Sequence, residues 1–333
     1  MANAPWLSVL IPVYNVSAYI EDCVRSVLQQ VLHDPGIEIV LLDDVGSDDS
    51  WAKVQALAAQ HPQRLRLLQH AHNRGLAAAR NTLLAEAQGR YIWFLDSDDI
   101  LLPGAIDGLR AAVSSDDPDL VLCDFAVVRE QPRLSHRLRG EQHRRTHPSR
   151  SETLSHNRDA LAIGLLGHRQ LHAWSKIAKR SVWQAAPFPE GRYFEDIPTI
   201  PGLLAASQSW RHVAAPWVGY RQRGDSILAT TTPKKSRDLL AALHDLSSGL
   251  RRMANRFNTE TQMATDYFCL RTFANLARST PQSDAALDTE CRTAMAAIFP
   301  QGIAPVLADC RRRGWWLRAL RLRSALVKRG WLQ

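Results

Sequence analysis

Two places in the chain gather aspartates at the end of an apolar run. Asp43 and Asp44 close the run Ile37 to Leu42, and Asp96, Asp98 and Asp99 close Tyr91-Ile-Trp-Phe-Leu95. Carboxylates crowded at one edge repel each other unless a cation neutralises them, and hard oxygen ligands suit Mg²⁺ or Mn²⁺. The plainer alternative is that Asp and Ser are common in turns and at helix N-termini. That alternative serves as well as a functional one for Asp48 and Asp49, just before Trp51. It serves less well for Asp96-Ser97-Asp98-Asp99, which directly follows a wholly apolar segment. A further acid pair, Glu195-Asp196, stands before Pro198 and a second apolar stretch. It suits proton transfer, or else it caps a helix whose first turn holds the proline.

The elements that must position these acids are legible from periodicity. Leu7 to Val13 is a short buried strand. Ile20, Cys23, Val24, Val27, Leu28 and Val31 keep helical spacing, with Ser17 as the expected N-cap. Ile37–Leu42, Leu65–Leu68, Tyr91–Leu95 and Leu120–Val128 read as further strands. Between them lie helices through Trp51, Val54 and Leu57, through Leu76, Leu83 and Leu84, and from Pro103 through Ile106 and Leu109. Such alternation predicts an α/β fold, a Rossmann-like, mainly parallel sheet flanked by helices. In such sheets ligands bind at the carboxyl ends of the strands, where the aspartates are. Residues 129–158, rich in Arg and His, read as an exposed excursion or polar hairpin. A helix near Ser175–Ala186, another from Asp196 and a strand near Val213–Tyr220 follow. From Pro233 only helical spacing remains, as in Leu239, Leu243, Leu246 and Leu250. A boundary near 232 is expected, with an α/β domain over residues 1–232 and a helical C-terminal region over 233–333.

Composition narrows the class. Apolar residues make up 45% and charged residues 22% of the chain, as in an ordinary globular protein. No apolar run reaches the roughly 18 residues of a membrane span, and Met1 to Pro5 does not lead into a secretory signal. Five scattered cysteines without C-x-x-C spacing predict neither disulfides nor a zinc site, so a cytoplasmic setting is expected. The net charge of +8 is local: eight Lys and Arg lie beyond residue 310 without an acid among them, leaving 33 cations against 33 acids elsewhere. That distribution points to one anionic contact and away from a nucleic-acid binder. Residues 311–331 place Trp316, Leu320, Val327 and Trp331 near one helical stripe, with Leu317 beside it and arginines around it. A basic helix with interfacial tryptophans suits an anionic membrane surface; packing on its own domain is the alternative.

Five segments resemble one family. Ser8-Val-Leu-Ile-Pro-Val-Tyr-Asn15, Glu38-Ile-Val-Leu-Leu-Asp-Asp44, Asn73-Arg-Gly75, Ala79-Arg-Asn81 and Phe94-Leu-Asp-Ser-Asp-Asp99 look, in order and spacing, like the bacterial inverting glycosyltransferases of family two. Phe194-Glu-Asp-Ile197 and Tyr220-Arg-Gln-Arg-Gly-Asp-Ser226 are similar to that family's acid station and closing segment, so the resemblance covers about residues 6–228. It implies the GT-A fold and transfer of a sugar from a nucleotide-diphosphate donor, a UDP-sugar in the first instance, to a saccharide or lipid-linked saccharide hydroxyl. Surface polysaccharide or lipopolysaccharide synthesis on the inner face of the cell membrane is the implied setting. Asp98 would ligate Mn²⁺ or Mg²⁺, Asp96 would hold the ribose or a metal-bound water, and Asp99, beside Ser97, would face donor sugar or acceptor. Pro12, Tyr14 and Asp43 or Asp44 would shape the nucleoside pocket. Arg74 and Arg80 would reach the diphosphate or orient Asp96, ordinary solvent-facing arginines being the alternative. Arg221, Arg223 and Ser226 would close over the diphosphate, since arginine forks suit phosphate oxygens. Trp174 and Lys176 would lie on the acceptor side, with Trp174 either stacked on a sugar or buried.

Direct displacement at an anomeric carbon needs a base for the acceptor hydroxyl. The resemblance gives that role to Asp196, with Glu195 beside it. One departure stands out: Val45 follows Asp43-Asp44 where the family has a glycine, which takes positive φ freely. Two rival classes fit these residues less well. A sugar nucleotidyltransferase wants a Gly-rich phosphate loop after the first strand, where this chain has Pro12-Val-Tyr-Asn15. A non-catalytic nucleotide- or glycan-binding module would not need Asp96, Asp98 and Asp196 together.

Overall fold

The computed structural model describes residues 4–32, 34–129, 136, 138–149, 152–222, 232–279 and 284–332. Eight strands form one sheet: β1 (Leu7–Val13), β2 (Ile37–Asp43), β3 (Leu65–Gln69), β4 (Tyr91–Phe94), β5 (Ile100–Leu101), β6 (Leu120–Val128), β7 (Lys176–Lys179) and β8 (Trp210–Arg221). Their order is β3-β2-β1-β4-β7-β6-β8-β5. β1 runs parallel to β2 and β4, β2 to β3, and β6 to β8. Only β7 and β5 run against their neighbours. The mainly parallel sheet expected from the sequence is the one that forms.

Its apolar runs are continuous because both faces are buried. Leu7, Val9, Ile11 and Val13 of β1 point to one side, into a core shared with Cys23, Val24 and Val27 of the helix Ile20–Val31. Leu10 points to the other side with Val40, Leu42 and Phe94, against Leu83 and Leu84 of the helix Leu76–Glu86. Since β1, β2 and β4 are parallel, Tyr14, Asp44 and Asp96 leave the sheet from the same edge. The second core continues into the helices beyond Pro233. Leu243 and Leu246 of the helix Pro233–Arg252, Phe273 of Thr259–Ser279 and Leu326 of Trp316–Lys328 are all buried within it.

The structure differs from the sequence reading at three places. The helix expected near Ser175–Ala186 is a 3₁₀ turn (Ala173–Ser175), strand β7 and a short helix (Arg180–Gln184). Ile177 and Ala178 fill the slot between β4 and β6, and the ladder hydrogen bonds available there outweigh local helical spacing. Ser17 does not cap the first helix; its hydroxyl bonds Asp49 instead, and the cap position is held by Tyr19, whose side chain does not bond the helix's first turn. The polar excursion is not simply exposed. Its described part bridges back through Phe125 and Arg144 and buries Thr146 and His147. Asp124 of β6, fully buried, accepts from Thr146 N at 2.8 Å and faces His212 Nε2 at 2.8 Å and His143 Nε2 at 2.7 Å. Burial pushes its carboxyl up, but these partners more than reverse that and hold it below the usual range.

Candidate active site

The helix Leu76–Glu86 turns Arg80 inward along with Ala77 and Leu84. Its guanidinium, fully buried, meets three acids: Asp96 Oδ1 at 2.7 Å, Glu195 Oε1 at 2.7 Å and Asp196 Oδ1 at 3.0 Å. Phe188 lies under it, 5.3 Å from ring centroid to Cζ. One cation thus ties the end of β4 to the start of the helix Asp196–Ala206, more than a hundred residues later. Burial disfavours the charge on Arg80, yet Asp96, Asp196 and Glu195 outweigh it and raise its pKa. For Glu195 the balance is reversed: burial and neighbouring Asp196 push its carboxyl up to about 7, against the pull of Arg80. Asp196 does not cap its helix. Glu195 occupies the cap, but its carboxylate, like that of Asp196, turns to Arg80 and makes no bond to the helix's first turn. Immediately before the pair, Phe194 is held at φ 61°, a costly conformation for a bulky residue.

The segment after β4 is stitched to the end of β8. Arg221 donates from its backbone N to Asp99 Oδ1 at 2.8 Å and from Nε to the Asp98 carbonyl at 3.0 Å, and Nη2 reaches Asp22 Oδ2 at 3.3 Å. Asp99 and Ser97 are buried, and among the described residues Asp99 Oδ2 has no hydrogen-bond partner. Burial first, then the charges of Asp98 and Asp96, raise the Asp99 carboxyl well above its usual range.

At the end of β2 both aspartates are engaged. Asp43 accepts from Val45 N at 3.1 Å through Oδ1 and from Gln69 Nε2 at 2.7 Å through Oδ2. That turn holds Val45 at φ 57°, so the loop keeps the left-handed conformation despite its β-branched residue. Asp44 faces His70 Nδ1 at 2.6 Å and accepts from Asn73 Nδ2 at 2.9 Å, Arg74 N at 2.9 Å and Gly75 N at 2.7 Å. It is the peg on which the Asn73-Arg-Gly75 loop hangs. Arg74 points outward to Glu190 Oε2 at 3.2 Å. Pro12 is buried in β1, whereas Tyr14 just beyond it is 47% exposed.

Trp174 and Lys176 need correction as acceptor contacts. Both are buried, at 1% and 0% exposure, and cannot meet a sugar face directly. Trp174 stacks on His172, with ring centroids 4.9 Å apart. Lys176 Nζ donates to the carbonyls of Gln170 and His172 at 3.1 and 2.8 Å and to Ser175 Oγ at 3.2 Å, and burial lowers its pKa to about 8. Arg223 and Ser226 lie outside the described residues. His172 went unnoticed in the sequence, although its place two residues before Trp174 and four before Lys176 was the available signal.

A family model described as glycosyl transferase family 2 matches residues 8–169. That match takes in just under half of the chain. Over 198 residues it is 32% identical to the uncharacterized glycosyltransferase EpsJ of Bacillus subtilis (strain 168), covering 58% of this chain and 54% of that protein. Over 236 residues it is 27% identical to glycosyltransferase GlyG of Streptococcus pneumoniae serotype 4, covering 67% and 73%. The chain therefore spans about half the length of EpsJ. In fold, the chain superposes on S. aureus TarS 1-349 in complex with UDP, with a TM-score of 0.68 and 16% identity. That match covers 97% of this chain and 88% of the other. The mannosyltransferase PcManGT from Pyrobaculum calidifontis, in complex with GDP-Man and Mn²⁺, matches with a TM-score of 0.51 and 17% identity over 99% of this chain and 88% of its own. These likenesses establish the GT-A architecture.

The acid segment after β4 fits a hard divalent cation. Its donors are carboxylate oxygens, Asp99 Oδ2 is a buried acceptor without a partner among the described residues, and the repulsion among Asp96, Asp98 and Asp99 is what a cation relieves. Among the described residues no three His, Cys, Asp or Glu side chains already converge as a metal cage.

Proposed function

We propose that the protein is an inverting glycosyltransferase moving a sugar from a nucleotide-diphosphate donor to a saccharide or lipid-linked saccharide hydroxyl in bacterial surface-glycan synthesis. The observation that carries this reading is the Arg80 node, which brings Asp96 to Glu195 and Asp196. Asp196 is the general base. Its Oδ1 is held by Arg80, while its Oδ2 has no hydrogen-bond partner among the described residues and so can take the acceptor proton. As that proton moves to Oδ2, the acceptor oxygen bonds the anomeric carbon and the nucleoside diphosphate departs from the opposite face, inverting the centre. Arg80 keeps Asp196 aimed through its bond to Oδ1.

Tyr14, exposed beside the Asp43 turn, offers a ring face for the donor base. TarS was solved with UDP and with UDP-GlcNAc, which supports a UDP-sugar donor; PcManGT was solved with Mn²⁺, which supports a divalent cation. Asp98, with Asp96 and Asp99 at hand, would hold Mn²⁺ or Mg²⁺, whose chemistry when bound is to neutralise charge on the diphosphate.

A peripheral seat on the inner membrane face fits the C-terminal helix. Ala319, Leu322 and Leu326 pack inward, and Trp331 is buried with Nε1 donating to Asp288 at 2.9 Å, which removes Trp331 from the outward stripe. Trp316, Leu317 and Leu320 are 63%, 69% and 63% exposed, with basic residues around them. No helix among the described residues is long and apolar enough to cross a membrane.

The deciding experiment pairs two variants. Asp196→Asn is expected to bind UDP with Mn²⁺ normally and to lose transfer by at least a hundredfold, within the usual contribution of a general base. Asp98→Ala is expected to lose the Mn²⁺-dependent part of UDP affinity in calorimetry. Near-normal turnover by Asp196→Asn excludes it as the base, and unchanged Mn²⁺ dependence in Asp98→Ala removes the ligand assignment.

A further inference from the structure

His172 lies at the entrance to β7, half-buried, with its ring stacked parallel to Trp174 (4.9 Å, 6°) and against Tyr220 (6.0 Å, 28°). The backbone beneath it is fixed, because its carbonyl accepts from Lys176 Nζ at 2.8 Å and Ser175 Oγ at 2.9 Å. Tyr220 is followed by Arg221, which holds Asp99 at 2.8 Å, so the stack stands beside the acid cluster. The ring itself is different from its surroundings: among the described residues neither nitrogen has a hydrogen-bond partner. Other described histidines around the sheet do have such partners, as His70 has Asp44 and Thr82 and His212 has Asp124 and Ser149. A histidine serving only to pack would do the work of a phenylalanine here.

Burial lowers the pKa of His172, with Asp196 the largest opposing influence, so the ring is neutral near pH 7. A neutral imidazole presents one N–H donor and one bare acceptor nitrogen, which matches a sugar hydroxyl that both accepts and donates. The strand order also separates the ring from the ends of β1 and β2. Tyr14 and the Asp43 turn stand at the ends of β1 and β2, whereas His172 leads into β7, across β4 and beside the stack that adjoins Asp99.

We propose that His172 is an acceptor-positioning residue, whose ring nitrogens hydrogen-bond a hydroxyl of the acceptor saccharide adjacent to the one that Asp196 deprotonates. This rests on the transferase reading above and adds to it a named contact for the acceptor. Trp174 and Tyr220 set the plane of the ring, and Lys176 fixes the backbone that carries it. Trp174 therefore serves the acceptor side indirectly, through the histidine stacked on it.

The test uses the full chain, UDP-sugars as donors and a panel of p-nitrophenyl glycosides as acceptor probes. His172→Phe keeps the aromatic stack and deletes both nitrogens. It is expected to raise the acceptor KM about tenfold, the size of one lost hydrogen bond, with kcat changed less than twofold and UDP affinity by calorimetry unchanged. His172→Asn, which restores a donor and an acceptor, is expected to recover part of that loss. An unchanged acceptor KM in His172→Phe overturns the inference while leaving the transferase reading standing. A rise in KM matched by an equal loss of UDP affinity overturns it too, since that marks a structural role. A wild-type chain that binds UDP yet transfers to no probe overturns the transferase reading and the inference with it.

Discussion

Replacing Arg80 with methionine tests whether one cation organises the site. Methionine fills much of the arginine stem's volume over Phe188 but leaves Asp96, Glu195 and Asp196 facing one another without their counter-charge. Removing one partner from a buried ion pair costs about 3–5 kcal/mol, and Arg80 is fully buried. With an unfolding entropy of about 2.1 cal/mol/K per residue, the 333 residues give about 0.7 kcal/mol/K, and the expected fall in Tm is about 4–7 °C. The sign with pH follows from the acids. At pH 8 Glu195, whose carboxyl is pushed up to about 7, carries its charge and repels its neighbours, whereas at pH 5 its protonation relieves part of the repulsion. The fall in Tm should therefore be larger at pH 8 than at pH 5. Differential scanning calorimetry at both values, with Arg80→Lys as a charge-retaining control, measures this. Arg80→Lys should recover only part of the loss, because an ammonium cannot span three acids as a planar fork does. A loss below about 1 °C in Arg80→Met, equal at both pH values, would refute the reasoning.

The pH dependence of transfer should follow the acid pair. With Glu195 pushed up to about 7, the pair holds a proton below that pH, so kcat/KM is expected to rise as pH increases through about 7. Glu195→Gln removes the like charge beside Asp196 and should move that limb at least one unit lower; an unmoved limb in a pH profile excludes Glu195 as its origin. For the C-terminal helix, changing the exposed Trp316, Leu317 and Leu320 to serine should leave Tm within about 2 °C, as is usual for surface positions, while abolishing sedimentation with anionic liposomes. The same triple variant still bound to those vesicles would refute the membrane seat.

The strands, the helices of the first half and the aspartate stations at strand ends were legible because they are local. Apolar runs and helical spacing report burial one element at a time, and Asp96-Ser-Asp-Asp99 follows its strand directly. β7 was not legible. Four residues with an apolar pair at their centre carry too little periodicity, and only the open slot between β4 and β6 makes them a strand. The same holds for Asp124, whose buried partners come from His143, Thr146 and His212.

Among the site residues, the sequence by itself determined which chemistry was available: carboxylates for a cation and a base, arginines for phosphate. Only the tertiary structure decided which side chains meet. It set Arg80, left open by the sequence between reaching the diphosphate and orienting Asp96, against Asp96 and joined Glu195 and Asp196 to the same guanidinium. It buried Trp174 and stacked His172 on it. It also divided the C-terminal stripe, burying Trp331 while leaving Trp316 outside. The physical reason is that residue type and spacing act through the nearest turn of helix or pair of strands. Whether a charge is buried, paired or facing solvent is set by chain brought in from a hundred residues away.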